Sequence, residues 1–278
     1  MSDHHQAVAR HYGRGGLLDR ILAALTEAGR DIEHLTIDDL APVDEFHGRQ
    51  RRATEELAAM LAPRAGQRVI DIGSGIGGPS RYLARVCGCR VSGVDLTDEF
   101  VATANDLTRR TGLTEQVDFR QGSALLLPFP DASFDLAWSQ NVAMNITDRA
   151  RWYAEVHRVL RPGGRFAFQD VAQGPAGEVH FPVPWSDTPA LSFLRTPEAT
   201  RALLEAAGFT VVDWRDNSEA SIAEFEAQRA AAAANPGGRP ALGINLVVGA
   251  DFVEKMRNSQ RSLREGRTRL INAVVARG

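Results

Sequence analysis

Two spacings of apolar residues divide this chain. Over residues 1–62 the apolar positions recur at helical intervals. Leu17, Leu18, Ile21, Leu22 and Leu25 form one stripe, and Gly29 stops the run. Thr36 is placed to cap a short turn through Leu40, residues 41–48 read as a loop, and a further helix carries Leu57, Met60 and Leu61. From residue 68 short apolar runs alternate with helical stretches. Val69-Ile70-Asp71-Ile72 reads as a buried strand, and residues 79–86 as a helix with Pro79 in its first turn. Strand signals follow over 91–94, 117–120, 134–139, 165–171 and 209–214, with helices over 98–110 and 148–160 between them. Thr196-Pro197-Glu198 opens another helix as cap, first-turn proline and first-turn acid, and Gly208 ends it. Residues 172–195 hold four prolines and no period. Residues 217–268 are mainly helical, broken at Asn235-Pro236-Gly237-Gly238, and a last strand over 270–276 closes the chain.

Strands that alternate with helices predict an α/β fold, a seven-stranded and mostly parallel sheet with helices on both faces. One domain over 1–278 is expected: an N-terminal helical cap (1–62), a core (63–216), a helical insertion (217–268) and the final strand (269–278). The cap and the insertion fall outside the alternation, so they are expected to form a lid over whatever the sheet binds.

Composition narrows the classes. The chain has 278 residues, 44% of them hydrophobic, a net charge of −3 and a pI near 6.2, which gives no electrostatic footprint for nucleic acid. No apolar run approaches the length of a membrane span, and residues 1–10 carry no apolar core of a signal peptide. The two cysteines, Cys87 and Cys89, are too close for a good structural disulfide and too few for a zinc site. A cytoplasmic protein with reduced thiols and no metal is expected, as a monomer or a homodimer.

Ligands of open α/β sheets bind beyond the carboxyl ends of the strands, and the polar motifs fall at those ends. After the first strand comes Asp71-Ile72-Gly73-Ser74-Gly75-Ile76-Gly77-Gly78, in which glycines permit positive φ and close approach of a ligand. Gly73, Gly75 and Gly78 also satisfy the dinucleotide spacing, and Asp95 ends the second strand, where a carboxylate accepts from both hydroxyls of a ribose. Asp71 separates the two adenosine-bearing ligands. It would repel a pyrophosphate at the helix N-terminus, whereas the ammonium and sulfonium of S-adenosyl-L-methionine (SAM) favour a nearby acid.

These motifs resemble those of class I SAM-dependent methyltransferases. The matching stretches are Val69 to Gly77, Val91 to Leu96, Gln121 to Ala124 with Leu127 to Asp135, and Arg158 to Gly164, over roughly residues 60–215. The subgroup looks like the type 11 set, which includes ubiquinone/menaquinone C-methyltransferases and sarcosine/dimethylglycine N-methyltransferases. The resemblance implies a Rossmann-like fold. It implies too that Asp71, Gly73, Ser74, Gly75 and Gly77 line the methionine end, and that Asp95 with Leu96 holds the ribose. Ser123 and Ala124 would flank adenine, and Gln140 would lie beside the methyl donor. Ser123 departs from an aspartate common in the family and is a weaker acceptor for the adenine amine. Ser139-Gln140-Asn141-Val142 lacks the Asn/Asp-Pro-Pro-aromatic motif of amino-methylating DNA enzymes.

Substrate chemistry is carried by fewer signals. Displacement at a sulfonium depends on alignment, and an oxygen or carbon nucleophile often needs a base as well, unlike a neutral amine. His47 with Glu45, in Asp44-Glu45-Phe46-His47, is a candidate base; the other role for the pair is to pin the N-terminal helices over the cofactor. His11-Tyr12 is a candidate closure over the methionine end. Asn141, Met144 and Asn145 follow the fourth strand, where acceptors approach, and His180 and Trp185 are candidate walls of the pocket, with ordinary loop packing as the other reading. The expected reaction is methyl transfer to a small molecule, an amine by resemblance to the sarcosine group. The alternatives are C- or O-methylation, or SAM binding without transfer.

Overall fold

The computed structural model describes residues 12–13, 15–234, 242–248 and 251–278. His11 and the break at Asn235 to Gly238 lie outside the described residues. Three helices open the described chain: α1 (Leu17–Glu27), α2 (Ile37–Asp44) and α3 (Gln50–Leu61). The alternation then runs β1 (Arg68–Ile72), α4 (Gly78–Cys87), β2 (Arg90–Asp95), α5 (Asp98–Arg110), β3 (Val117–Gln121), β4 (Phe134–Gln140), α6 (Arg149–Val159), β5 (Leu160–Gln173), α7 (Pro197–Ala206) and β6 (Phe209–Asp216). Helices α8 (Ser218–Ala234), α9 (Asn245–Val248) and α10 (Phe252–Arg264) precede β7 (Thr268–Arg277).

The strands form one seven-stranded sheet in the order β3-β2-β1-β4-β5-β7-β6. Pairs among β1 to β5 are parallel, and β7 inserts antiparallel between β5 and β6. Both faces are covered, which is why the strands read as near-continuous apolar runs. Ile70, Ile72, Phe166 and Phe168 pack with Trp152 and Val156 of α6 and Leu204 of α7. Val69, Val91, Leu136 and Trp138 pack with Leu57 and Leu61 of α3 and Leu83 of α4.

Two elements differ from the pattern-based expectation. The turn after Thr36 is a full helix to Asp44. Thr36 and Asp39 complete a reciprocal capping box, and Leu40 and Val43 bury one turn apart on its inner face. Strand β5 extends to Gln173 because its ladder with β7 is continuous from Arg165↔Ala276 to Gln173↔Thr268.

The two segments outside the alternation meet. Leu242 and Val247 join Leu17, Ile21, Leu25, Leu40 and Phe100 in a core cluster of their own. The order of the strands reverses between β1 and β4, and the crevice of an open α/β sheet opens at such a point.

Candidate functional site

The cavity at that crevice has an empty volume, mouth included, of about 1320 Å³. The strand ends build its floor: Gly73 and Gly75 after β1, Asp95 to Thr97 after β2, Gly122 to Leu125 after β3, and Gln140 to Val142 at β4. Each turn is fixed locally. Gly73 and Gly75 adopt φ of 72° and 53°, the left-handed region that favours glycine. The Gly73 and Ser74 N–H groups donate to the Val94 carbonyl at 2.7 and 3.1 Å, folding the loop back over β2. Asp95 accepts from the Gly75 N–H and the Thr97 N–H, both at 2.9 Å, so one carboxylate joins two strand ends.

The cap supplies the opposite wall. Tyr12 and Phe46 both tilt against Phe100, with centroids 5.9 and 5.8 Å apart, and the Tyr12 hydroxyl accepts from Asn145 Nδ2 at 3.2 Å. Asp44 and Arg81, both buried, pair at 2.9 Å and clamp the end of α2 to α4. Beyond Asp44, Glu45 is fully buried. Its Oε2 meets His47 Nε2 at 2.9 Å and accepts from Thr54 Oγ1 at 2.7 Å, while Oε1 accepts from Arg51 Nε at 2.6 Å. Burial pushes the Glu45 carboxyl up, but His47, Arg51 and Thr54 outweigh it and hold the group below the usual carboxylate range. With Glu45 charged and accepting only, the proton between the two residues sits on His47 Nε2. His47 Nδ1, the other ring nitrogen, is buried and makes no hydrogen bond within the described residues.

On the far side of the crevice, Asp170 accepts from the Val142 and Ala143 N–H groups, both at 3.0 Å, and so holds the short turn that presents Asn141 to Asn145. Asn141 itself sits at φ 55°, a conformation asparagine tolerates better than most residues. Gln140 is fixed by Trp138 Nε1, which donates to Oε1 at 3.0 Å, and by Gln169 Oε1, which accepts from Nε2 at 2.9 Å.

Residues 70–168 match the model of a family described as a methyltransferase domain. The methyltransferase GfsG of Streptomyces halstedii is 36% identical over 185 residues, which span 65% of this chain and 66% of that protein. A sarcosine/dimethylglycine N-methyltransferase of Halorhodospira halochloris is 28% identical over 255 residues, 90% of this chain and 87% of that protein. Over residues 70–168 the chain carries a methyltransferase domain of this family. The crystal structure of the [4+2]-cyclase SpnF shares the fold with a TM-score of 0.63 at 25% identity, covering 95% of this chain and 94% of that one. The match to GfsG stops just short of two thirds of its length, and matches to two other relatives span 47% and 32% of theirs.

Most of the residues singled out from the sequence line one cavity. Tyr12, His47, Gly73, Gly75, Asp95, Leu96, Ser123, Ala124, Gln140, Asn141, Asn145 and Trp185 are all on its wall. Five are not. Glu45 lies behind His47. Asp71 is buried under the glycine loop and accepts from Ser80 Oγ at 2.6 Å. Ser74 turns its hydroxyl towards Gly93, and Gly77 caps α4 at φ 87°, where a Cβ would collide with Phe119. The placing of His180 as a pocket wall is corrected. Its N–H donates to Ser262 Oγ of α10, and its ring pairs at 2.7 Å with Glu265, just past the end of that helix.

Burial raises four carboxyls of the site, Asp44, Asp71, Asp95 and Asp170, and two of these flank the glycine loop. Asp95 is pushed up to about 6, against the N–H groups of Thr97 and Gly75 that favour its charge. Asp71 is pushed up to about 7, with only the Ser80 hydroxyl opposing. Neither carboxyl has a cationic partner among its hydrogen bonds.

A second chamber of about 680 Å³, mouth included, adjoins the first and shares Phe46, His47, Asn141, Pro184 and Trp185 with it. Its outer wall comes from the insertion and β7, through Phe225, Ile244, Met256, Leu263 and Leu270. The sequence reading missed these residues, and it missed Arg51 and Thr54 behind Glu45. Among the described residues no cluster could hold a metal ion, and no helix is long and apolar enough to cross a membrane.

Proposed function

We propose that this chain transfers the methyl group of SAM to a small-molecule acceptor held beneath the N-terminal helices and the 217–268 insertion. The observation that carries the reading is the Asp95 carboxylate, held by the Gly75 and Thr97 N–H groups at the rim of a cavity floored by the glycine loop. The cradle fits SAM. At Gly75 an added Cβ would press on Phe46 at 3.2 Å, so the close approach of a ligand depends on glycine there. Asp71 is a buried acid lacking a cationic partner, and the ligand's ammonium would supply one, directly or through water.

On this reading Asp95 accepts from the ribose hydroxyls, and Leu96, Ser123, Ala124 and Leu125 flank adenine. Gly73, Gly75 and Gln140 face the methionine end. Bound SAM supplies an electrophilic methyl group on a sulfonium. The protein's part is to align the acceptor with that group, to exclude water, and to receive a proton at His47 Nδ1 where the acceptor has one to lose. Tyr12, Phe46 and Phe100 from cap and core, with Val247 from the insertion, close the site and limit the acceptor to a metabolite rather than a polymer. A cytoplasmic location agrees with the reduced cysteines expected from the sequence.

The test is incubation with methyl-labelled SAM and a metabolite extract, followed by mass spectrometry. A labelled small molecule together with S-adenosyl-L-homocysteine is the expected result. A second reading is SAM binding without methyl transfer, and the structure matched along nearly the whole chain is named for a [4+2]-cyclase, an activity other than methyl transfer. It predicts that bound SAM keeps its label.

A further inference from the structure

We infer that the second chamber takes a neutral, largely apolar acceptor that presents a hydroxyl group to His47 Nδ1. The inference rests on the methyl-transfer reading and names the acceptor class for it.

Three observations meet at the wall between the two chambers. First, the chamber is apolar and of metabolite size. Phe225, Ile244, Met256 and Leu263 come from the insertion and, with Trp185 and Leu270, line a space of about 680 Å³, mouth included. A pocket built this way gains its affinity from apolar surface and its orientation from a few polar groups.

Second, the lining offers nothing for a zwitterion or an acid. Apart from His47, the one ionisable residue among the described lining is Arg269, whose Nη1 donates to Asp216 Oδ2 at 2.7 Å. The lining has no carboxylate for an ammonium group, and its single guanidinium is engaged outside the chamber. A small amino acid with both charges would leave them unpaired in an apolar space.

Third, the polar atoms left unpartnered on the shared wall are acceptors. His47 Nδ1 and Asn141 Oδ1 are both buried without a hydrogen bond among the described residues, and both residues line both chambers. The Glu45–His47 contact takes up Nε2, so in the neutral ring that the proposal requires Nδ1 accepts from a donor. A hydroxyl is such a donor. Its proton passes to Nδ1, the oxygen's electron pair forms the new bond to the methyl carbon, and sulfur keeps the pair of the broken S–C bond. A neutral amine needs no such base.

The probe pair is 2-naphthol and 2-methoxynaphthalene, which share shape and apolar surface and differ in the donor. Calorimetry with the full chain in the presence of S-adenosyl-L-homocysteine is expected to show 2-naphthol binding about tenfold more tightly. His47→Phe should remove that preference. Met256→Arg should weaken both probes about tenfold, with affinity for S-adenosyl-L-homocysteine within twofold of wild type as the evidence of an intact fold. Sarcosine should show no binding. Binding of sarcosine with neither naphthalene bound overturns the inference, and so does a preference for the hydroxyl that survives His47→Phe. Loss of S-adenosyl-L-homocysteine binding in the wild-type chain, with 2-naphthol still bound, overturns instead the methyl-transfer reading on which the inference stands.

Discussion

Arg49 and Glu224 lie 175 residues apart in the chain and form an ion pair at 2.8 Å, with the Arg49 side chain almost wholly buried. Arg49 also meets Glu56 of α3 through both terminal nitrogens. It follows His47 by two residues and adopts φ 67°, a left-handed conformation in a residue with a side chain, as does Gln50 at 43°. Such strain persists only where the surroundings hold it, and the two carboxylates do so here. The turn that aims His47 is therefore tied both to the cap and to α8.

Glu224→Gln keeps the shape of that contact and removes its charge. Turnover is expected to fall roughly fivefold, a loss of about 1 kcal/mol, with SAM affinity changed less than twofold. Steady-state kinetics set beside calorimetry check the split. An equal loss in both would mean that α8 braces the cofactor cavity rather than the His47 turn.

Asp95→Ala removes the acceptor proposed for the ribose hydroxyls. SAM binding should weaken by about 1.5–3 kcal/mol, roughly 10- to 150-fold. Asp95→Asn, which keeps one acceptor oxygen, should fall between the two proteins. Titration calorimetry gives the ranking, and unchanged affinity in Asp95→Ala would remove the ribose assignment.

The raised carboxyls predict a pH dependence with a definite sign. Asp95 at about 6 and Asp71 at about 7 stand above the unfolded value of 3.8. The stability they give the ligand-free chain is thus fully present below about pH 4 and lost as pH rises through 6 to 7. Ribose hydroxyls and an ammonium favour the charged forms, so SAM binding should release protons. The rise in melting temperature on adding SAM should grow between pH 5 and pH 8. A rise that stays constant across that range would mean that neither carboxyl meets the ligand.

Gly75→Val places a branched side chain at φ 53° and against Phe46. SAM binding should be lost, because Phe46 must move from the cavity wall. The core strands lie elsewhere, so far-UV circular dichroism should stay close to wild type. A variant that binds SAM normally would reduce the glycine loop to a turn.

What the sequence made legible was local. Asp71 to Gly77 and Asp95 are read from contiguous strings, because a strand end, a glycine turn and a helix start occupy neighbouring positions. The length of α2 was hidden, since Asp44 is kept helical and buried by Arg81, a partner 37 residues away. Thr54 and Arg51 gave no signal because their role depends on Glu45 across a turn with two left-handed residues. Phe225, Met256 and Leu263 read as ordinary apolar stripes of helices; only the packing of the insertion against β7 turns them towards a chamber. Trp185 and His180 share one irregular loop, yet Trp185 faces the cavity and His180 is drawn out to Glu265.

The measurement that tests the account most directly is the stoichiometry of turnover once an acceptor has been found. With purified full-length chain and limiting SAM, one S-adenosyl-L-homocysteine should appear for each acceptor consumed, and the product should carry the labelled methyl group. Consumption of the acceptor with SAM recovered intact would contradict methyl transfer, and would make the chain a catalyst that binds SAM without spending it.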